Sequence, residues 1–286
     1  MSAPEIILNG LFLGGFYGLF GLGAALAIGV AKIVNLAHGE FIVAFAYLGL
    51  FLVAWLPVHP LVLIPLVAII AYGVGYVFQK GMLNRLVAPN PLPVILTTFG
   101  FSVILKNLMV ELFGANSRSI KVGDLSYMSF DLFGMTLGVF PVITTGIAIV
   151  LFVVLHLIVT RTQIGRIIRA TSDDAQTVQL FGVNSNKIFN LVMGIAFSMA
   201  AIAGMMLAMR TAFTPFSGVD RLLISFEVLV IGGLGSLWGA MIGGFVLGVA
   251  HVFGLSILPS SGLLFPHIVF FAVLMFLPKG LSSWKS

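Results

Sequence analysis

The stretch RTQIGRIIRATSDDAQTVQLFGVNSNK, residues 161–187, is the longest polar interval in a chain that is otherwise nearly continuous hydrocarbon. It gathers Arg161, Arg166, Arg169 and Lys187 with the acidic pair Asp173 and Asp174. The apolar runs on either side, 139–160 and 188–209, each approach the roughly 20 residues a helix needs to cross the hydrocarbon core of a bilayer. The same alternation continues outward in both directions. Nine apolar segments result, at about 6–30, 40–57, 60–79, 93–113, 139–160, 188–209, 222–234, 236–255 and 263–278.

The chain is 60% hydrophobic and 8% charged, where a soluble domain carries roughly a quarter charged residues. Its mean hydropathy is +1.17. A 286-residue core cannot enclose that much apolar surface in water, so lipid must serve as the solvent for most of the chain. The fold class is therefore all-α and polytopic: one transmembrane domain over 1–286, a bundle of about 8–10 helices, with the loop 161–187 projecting from it. The seventh segment, about 13 residues, is too short to cross unaided, and the glycine-rich eighth follows almost at once. The pair reads as a broken or re-entrant unit of the kind transporters contain.

Charge orients the bundle. With 161–187 on the inside, alternation also places Lys32, Lys80, Arg85, Lys279 and Lys285 there. That makes nine basic residues, against four outside: Arg118, Lys121, Arg210 and Arg221. The bias sets the N-terminus outside and the C-terminus in the cytoplasm. The net charge of +5 thus reflects short topogenic loops, and no nucleic-acid partner is expected. The opening MSAPEIILNG carries Glu5 and no basic residue, unlike the n-region of a signal peptide, so the first apolar run is expected to remain as a helix. The outer loop 114–138, with Asp124 and Asp131, is expected to rest on the membrane surface. There is no cysteine, which removes disulfides and thiol chemistry.

Small residues recur every four positions: Gly10, Gly14 and Gly18; Ala196, Ala200, Gly204 and Ala208; Gly235, Gly239 and Gly243, with Gly244 and Gly248 alongside. Such stripes let helix backbones approach in lipid. They serve packing inside one bundle or a face between two chains, and the pattern alone favours neither.

Ionisable groups in apolar segments are expensive and need a reason. Asn35-Leu36-Ala37-His38-Gly39-Glu40 reads as a helix–turn–helix corner at the inner end of the first segment, with Asn35 as cap and Glu40 favoured by the dipole of a helix start. The other reading is a gate or pathway role for Asn35, His38 and Glu40. Thr98, Ser102 and Lys106, spaced i, i+4, i+8, put one polar stripe on one helix face. It either lines an aqueous path or consists of back-bonded hydroxyls below a snorkelling lysine. Glu111 is interfacial. Glu227, in the short seventh segment beside IGGLGSLWGAMIGG, is the strongest intramembrane candidate. His156 and His251 read as structural histidines. No His, Asp or Glu spacing resembles a metal site, and no cofactor is implied. There is no P-loop and no GxSxG or SxxK nucleophile, so the chain is not expected to be an enzyme or to hydrolyse ATP itself.

Within 161–187, Ser172 followed by Asp173 and Asp174 predicts a helix over 173–181. The hydroxyl caps it, acids lie at its positive end, and Gly182 follows as the C′ residue. The bland reading is a solvated loop; the sharper one is a short knob that docks in a partner's groove.

Four runs together resemble a known family: IVNLAHGEF (33–41), TRTQIGRIIRATSDDAQTVQLFGVN (160–184), VIGGLGSLWGAMIGGFVLG (230–248) and FLPKGL (276–281). The chain is similar to the LivH-type permease subunit of bacterial ABC importers for branched-chain amino acids. The resemblance covers nearly the whole chain. It implies that the central loop is a coupling helix docking on an ATPase through an E-A-A-x-x-x-G pattern. Here Gln176, Thr177, Val178 and Gly182 take those places, Gln176 replacing the acid with Asp173 and Asp174 just upstream. Arg166 and Arg169 precede it. The resemblance also implies a second, LivM-like permease subunit, two cytoplasmic ATP-binding subunits, an extracytoplasmic substrate-binding protein, and a bacterial inner-membrane location. The rival expectation is an ion-coupled secondary transporter that uses Glu40, Lys106 and Glu227 and needs no ATPase.

Overall fold

A computed structural model describes residues 2–86, 90–132 and 134–281; Lys285 lies outside the described residues. In chain order the helices are α1 (Ala3–Ala31), α2 (His38–Trp55), α3 (Ile64–Gly81), α4 (Leu92–Phe113), α5 (Val139–Arg161), α6 (Gln163–Asp173), α7 (Ala175–Leu180), α8 (Ser185–Arg210), α9 (Gly218–Gly232), α10 (Leu237–Ile257) and α11 (Leu264–Phe276). Between α4 and α5 lies a small antiparallel hairpin, β1 (Ser129–Leu132) and β2 (Met135–Gly138), in which Ser129 faces Gly138. All nine apolar runs are helical. Seven spans are long and apolar enough to cross a membrane; α9, with 15 residues, and α11, with 13, are the short ones. The protein is an all-α polytopic membrane protein.

Local chemistry sets the ends. Glu5 accepts the Ser2 amide at 2.7 Å, and Pro4 occupies the first turn of α1, where its missing N–H costs nothing. At the far end Lys32 turns left-handed at φ +53° while its amide still donates to the Ile28 carbonyl, stopping α1 without a glycine. At 29 residues, α1 is about 43 Å long, longer than a hydrocarbon core.

The small-residue stripes serve the interior of this one bundle. A Cβ on Gly14 of α1 would stand 2.5 Å from the Phe245 Cα of α10, and one on Gly75 of α3 would stand 2.6 Å from the Met193 carbonyl oxygen of α8. Gly204 of α8 similarly abuts the Ile42 carbonyl of α2. Without a hydrophobic drive between helices in lipid, this backbone contact is what holds them. The outward faces of α3, α4 and α11 carry apolar side chains such as Ile69, Ile104 and Phe271, matched to lipid tails.

The chain folds as two similar halves. Each has one long helix, a break, and a helix that starts again: α1, 32–37, α2, and then α8, 211–217, α9. The long helix of each half lies along the third helix of the other, α1 on α10 and α8 on α3, while α1 meets α8 and α2 meets α9. Phe16 of α1 lies under Arg210 of α8 and Gly23 lies against Ala196, so α1 and α8 run in opposite directions. This is the inverted arrangement seen in transporters with discontinuous helices.

Two expectations need correcting. The corner at 35–40 does not sit at the end of α1. His38 hydrogen-bonds the Phe20 carbonyl and flanks Gly23 and Ala196, so the chain re-enters the bundle and α2 starts halfway along α1. Asn35 is not the N-cap residue, which is Ala37, although the Asn35 Oδ1 accepts the Ala37 amide at 2.9 Å. In the central loop, the segment before Asp173 is itself a helix, α6. It begins at Thr162, whose side chain accepts the Gly165 amide. Ser172 and Asp173 close α6, and Asp174 is the cap of α7. Asp174 wins because its carboxylate meets two amides at once, while the Ser172 hydroxyl is engaged with the Gly29 carbonyl of α1.

Candidate functional site

The two breaks meet in the middle of the bundle. Gly39, in the first turn of α2, and Gly218, the first residue of α9, pack on each other. A Cβ on Gly39 would collide with the Gly218 carbonyl, and one on Gly218 would stand 3.0 Å from the Glu40 amide nitrogen and from its carboxyl. Two helix N-termini, each carrying roughly half a positive charge, therefore converge inside the bundle, beside Phe20 of α1. Glu40 is the carboxyl placed between them. It is buried, and its Oε2 has no hydrogen-bond partner among the described residues.

Phe20 of α1 ties both half-helices down. Its carbonyl receives the His38 ring at 3.0 Å and the Ser225 hydroxyl of α9 at 3.1 Å. Asn35 and Thr98 complete the corner: Thr98 Oγ1 accepts the Leu36 amide at 3.2 Å, and the buried Asn35 Nδ2 has no hydrogen-bond partner among the described residues. Beneath the Gly39–Gly218 contact lies a small space of about 10 Å³ lined by Ala24, Asn35, His38, Ser225, Phe226 and Leu229, room for roughly one water.

Of the polar stripe on α4, Thr98 and Ser102 are buried and face this corner. Both hydroxyls also donate back to their own helix, Thr98 to Ile95 and Ser102 to Phe99. Lys106 lies one turn beyond Ser102 on α4. Glu227 belongs elsewhere. It is nine residues beyond Gly218, about 14 Å along α9, and hydrogen-bonds the His267 ring of α11. Sequence reading passed over His267: no spacing rule links residues 40 apart on different helices.

The second cluster is at the α6–α7 end. Asp174 Oδ1 accepts the Gln176 and Thr177 amides at 2.9 and 3.0 Å, and Oδ2 accepts the Thr177 hydroxyl. The Thr177 hydroxyl, then the two amides, hold the Asp174 carboxyl below its ordinary value. Gly182 follows α7 at φ +80°, the left-handed turn expected of a C′ glycine. The Ser185 hydroxyl donates to the Ala175 carbonyl at 2.7 Å, fastening α7 to the start of α8. Arg169 of α6 donates to the Val159 carbonyl of α5, and Ser172 donates to Gly29 of α1 at 2.6 Å. Arg166, Asp173 and Gln176 are exposed. The tip carries Leu180 and Phe181, 86% and 81% exposed, outside any membrane-spanning helix.

An inverted pair of broken helices around a dry central corner, with a fastened helical elbow at one end, defines a polytopic membrane permease. The chain belongs to the family described as branched-chain amino acid transport system / permease component, whose profile matches residues 6–278. It is 27% identical over 300 residues to the high-affinity branched-chain amino acid transport system permease protein BraD of Pseudomonas aeruginosa, covering 97% of each chain. It is 26% identical over 295 residues to the LivH permease protein of the same type of system in Escherichia coli K12, covering 96% of this chain and 93% of that one. A shorter match, 29% over 183 residues and 61% of this chain, is to the autoinducer 2 import system permease protein LsrC of Yersinia enterocolitica. No solved structure matches. The protein is a multi-pass inner-membrane transport component and not an enzyme.

Proposed function

We propose that this chain is the transmembrane subunit of an ABC importer for branched-chain or related small amino acids, driven by separate ATPase subunits. The observation that carries the reading is the elbow. α7 is capped at both ends, presents a bare apolar tip at Leu180 and Phe181, and connects through α6 to α1 and α5 by the Ser172–Gly29 and Arg169–Val159 hydrogen bonds. A push at Phe181 is thus delivered to the long helix against which both half-helices close. Two apolar side chains at the end of a short helix suit a groove on a partner, and Arg166, Asp173 and Gln176 supply its polar rim.

The basic-residue bias puts the elbow and the C-terminus in the cytoplasm and the hairpin outside, where a binding protein delivers solute. The Gly39–Gly218 contact is the gate. Parting α2 from α9 frees Glu40, Asn35 and two helix N-termini for a passing zwitterion, and at Gly39 and Gly218 the contact to be broken is backbone and the Glu40 carboxyl. A second permease subunit of LivM type forms the other wall of the path. The ion-coupled alternative would need Glu227 free to exchange protons, whereas His267 engages it.

The test is co-expression with the neighbouring ATPase and binding-protein genes, followed by uptake in proteoliposomes. ATP-dependent uptake of leucine, isoleucine or valine, with disulfide capture of F181C by a groove cysteine on the ATPase, supports the reading. Uptake by the purified chain alone in a pH gradient overturns it.

A further inference from the structure

A roomier cleft than the small space at the gate lies elsewhere. It opens at the elbow end, has a volume of about 370 Å³, and lies between α1, α5, α6 and the α9–α10 turn. That volume falls within the range of small-molecule sites, about 300–1,000 Å³. Its apolar wall is Leu26, Val30, Val159, Ile168 and Trp238. Its polar edge is Arg169 and Asp173, four residues apart on α6 and so on one helix face, about 6 Å apart.

These two charges do not pair with each other: the one ion pair among the described residues is His267–Glu227. Arg169 spends one N–H on the Val159 carbonyl, which anchors the guanidinium and leaves its other donors available. Asp173 offers acceptors only. The first turn of α10, capped by Ser236, adds positive potential from the opposite wall. The edge of Trp238 lies against His156, with centroids 5.5 Å apart, so the indole forms a fixed side of the cleft. One cation, one anion and a greasy wall within a single small cavity match a zwitterion with an apolar side chain.

The place of the cleft gives occupancy a consequence. Its floor is the contact of Gly29 with Gly235, where a Cβ on Gly29 would stand 2.9 Å from the Gly235 carbonyl oxygen. Its outer wall is the helix that leads to the elbow tip. A ligand bridging the two fastens α6 to the α9–α10 turn.

We propose that this cleft is a second amino-acid site, open to the cytoplasm, which binds the imported solute and holds the elbow still when that solute has accumulated. The proposal rests on the permease reading for the side of the membrane and the kind of solute. A zwitterionic lipid headgroup shares the chemistry, and the titration separates it from a free amino acid.

Trp238 is one of three tryptophans in the chain, so W55F and W284F leave it as this chain's sole tryptophan, and the same complex with W238F added supplies the blank for tryptophans of the other subunits. The complete transporter carrying these two changes, in phosphatidylcholine nanodiscs without binding protein, is titrated with leucine, with leucinamide and with 4-methylpentanoate. A saturable change in Trp238 emission with leucine alone, shifted tenfold or more to weaker binding by R169Q and by D173N, is expected. Leucine is also expected to slow ATP hydrolysis over the same concentration range. No response to leucine, equal responses to all three compounds, or a response to phosphatidylethanolamine in place of leucine overturns the proposal. Uptake by the same complex, reconstituted in proteoliposomes with its binding protein, reports separately on the permease reading: uptake with a silent Trp238 removes the cleft site and leaves the permease standing.

Discussion

Replacing Gly182 isolates the elbow from everything else. Its φ is +80°, and a Cβ built there meets no atom within 4 Å. A substitution therefore causes no collision and acts only through the backbone. Holding an L-residue in the left-handed region costs about 1–2 kcal/mol, most for a β-branched side chain and least for asparagine. If α7 must end in this turn to present Leu180 and Phe181, that cost lowers the docking-competent population by about 5- to 30-fold. G182V should thus cut ATP-driven uptake to between roughly one-fifth and one-thirtieth, G182A should fall between, and G182N should stay near wild type. The assay is uptake and ATP hydrolysis side by side in proteoliposomes. Expression and thermal midpoint should remain unchanged, since nothing packs on the site. Wild-type uptake in G182V would refute the reasoning. So would equal loss in G182N and G182V, because it would trace the effect to bulk instead of backbone.

The central contact makes the opposite kind of prediction. G39A forces α2 away from the Gly218 carbonyl and the Leu222 nitrogen, 2.8 Å from the new methyl, and should cost about 1–3 kcal/mol in detergent unfolding. G73A, with open space around it, should cost nothing; equal effects would discredit the gate contact. H267A leaves the buried Glu227 with neither oxygen engaged, a loss of about 1–3 kcal/mol. E227L with H267A should recover part of it, and strict additivity in that cycle would argue against the pair. The lowered pKa of Asp174 means its cap is fully present above the ordinary value of 3.8 and fades only as pH falls through the lowered one. Amide exchange at Gln176 and Thr177, corrected for intrinsic rates, should remain slow down to that pH and be fast at neutral pH in D174A. Identical exchange in both proteins would count against the cap.

What could be read in advance followed from local rules. Nine apolar runs gave nine helices because length and hydropathy decide spans without tertiary information. The small-residue stripes marked close backbone contacts, and Gly182 declared its turn. Depth was hidden. Nothing in NLAHGEF says that α2 restarts beside Phe20 instead of at the end of α1, since that depends on where α8 and α9 lie. The order of capping was also illegible: Ser172, Asp173 and Asp174 can each start a helix, and the Ser172–Gly29 hydrogen bond, a contact across 143 residues, chose among them. The helix at 163–173 carried its own signal, Ile164, Ile167, Ile168 and Thr171 at i, i+3, i+4 and i+7, a single helical face that the polar character of the whole interval hid. The Glu227–His267 pair and the cleft beside Trp238 likewise join residues that only the packed bundle brings together.

The bare elbow tip has a consequence for the cell. Leu180 and Phe181 are exposed among the described residues, and such side chains attract chaperones, proteases and one another. A subunit synthesised in excess of its motor would display that greasy end to the quality-control machinery, whereas a docked one would hide it. If Leu180 and Phe181 take the stroke as proposed, the same two residues would also serve as a tally of stoichiometry, marking every orphan copy for removal.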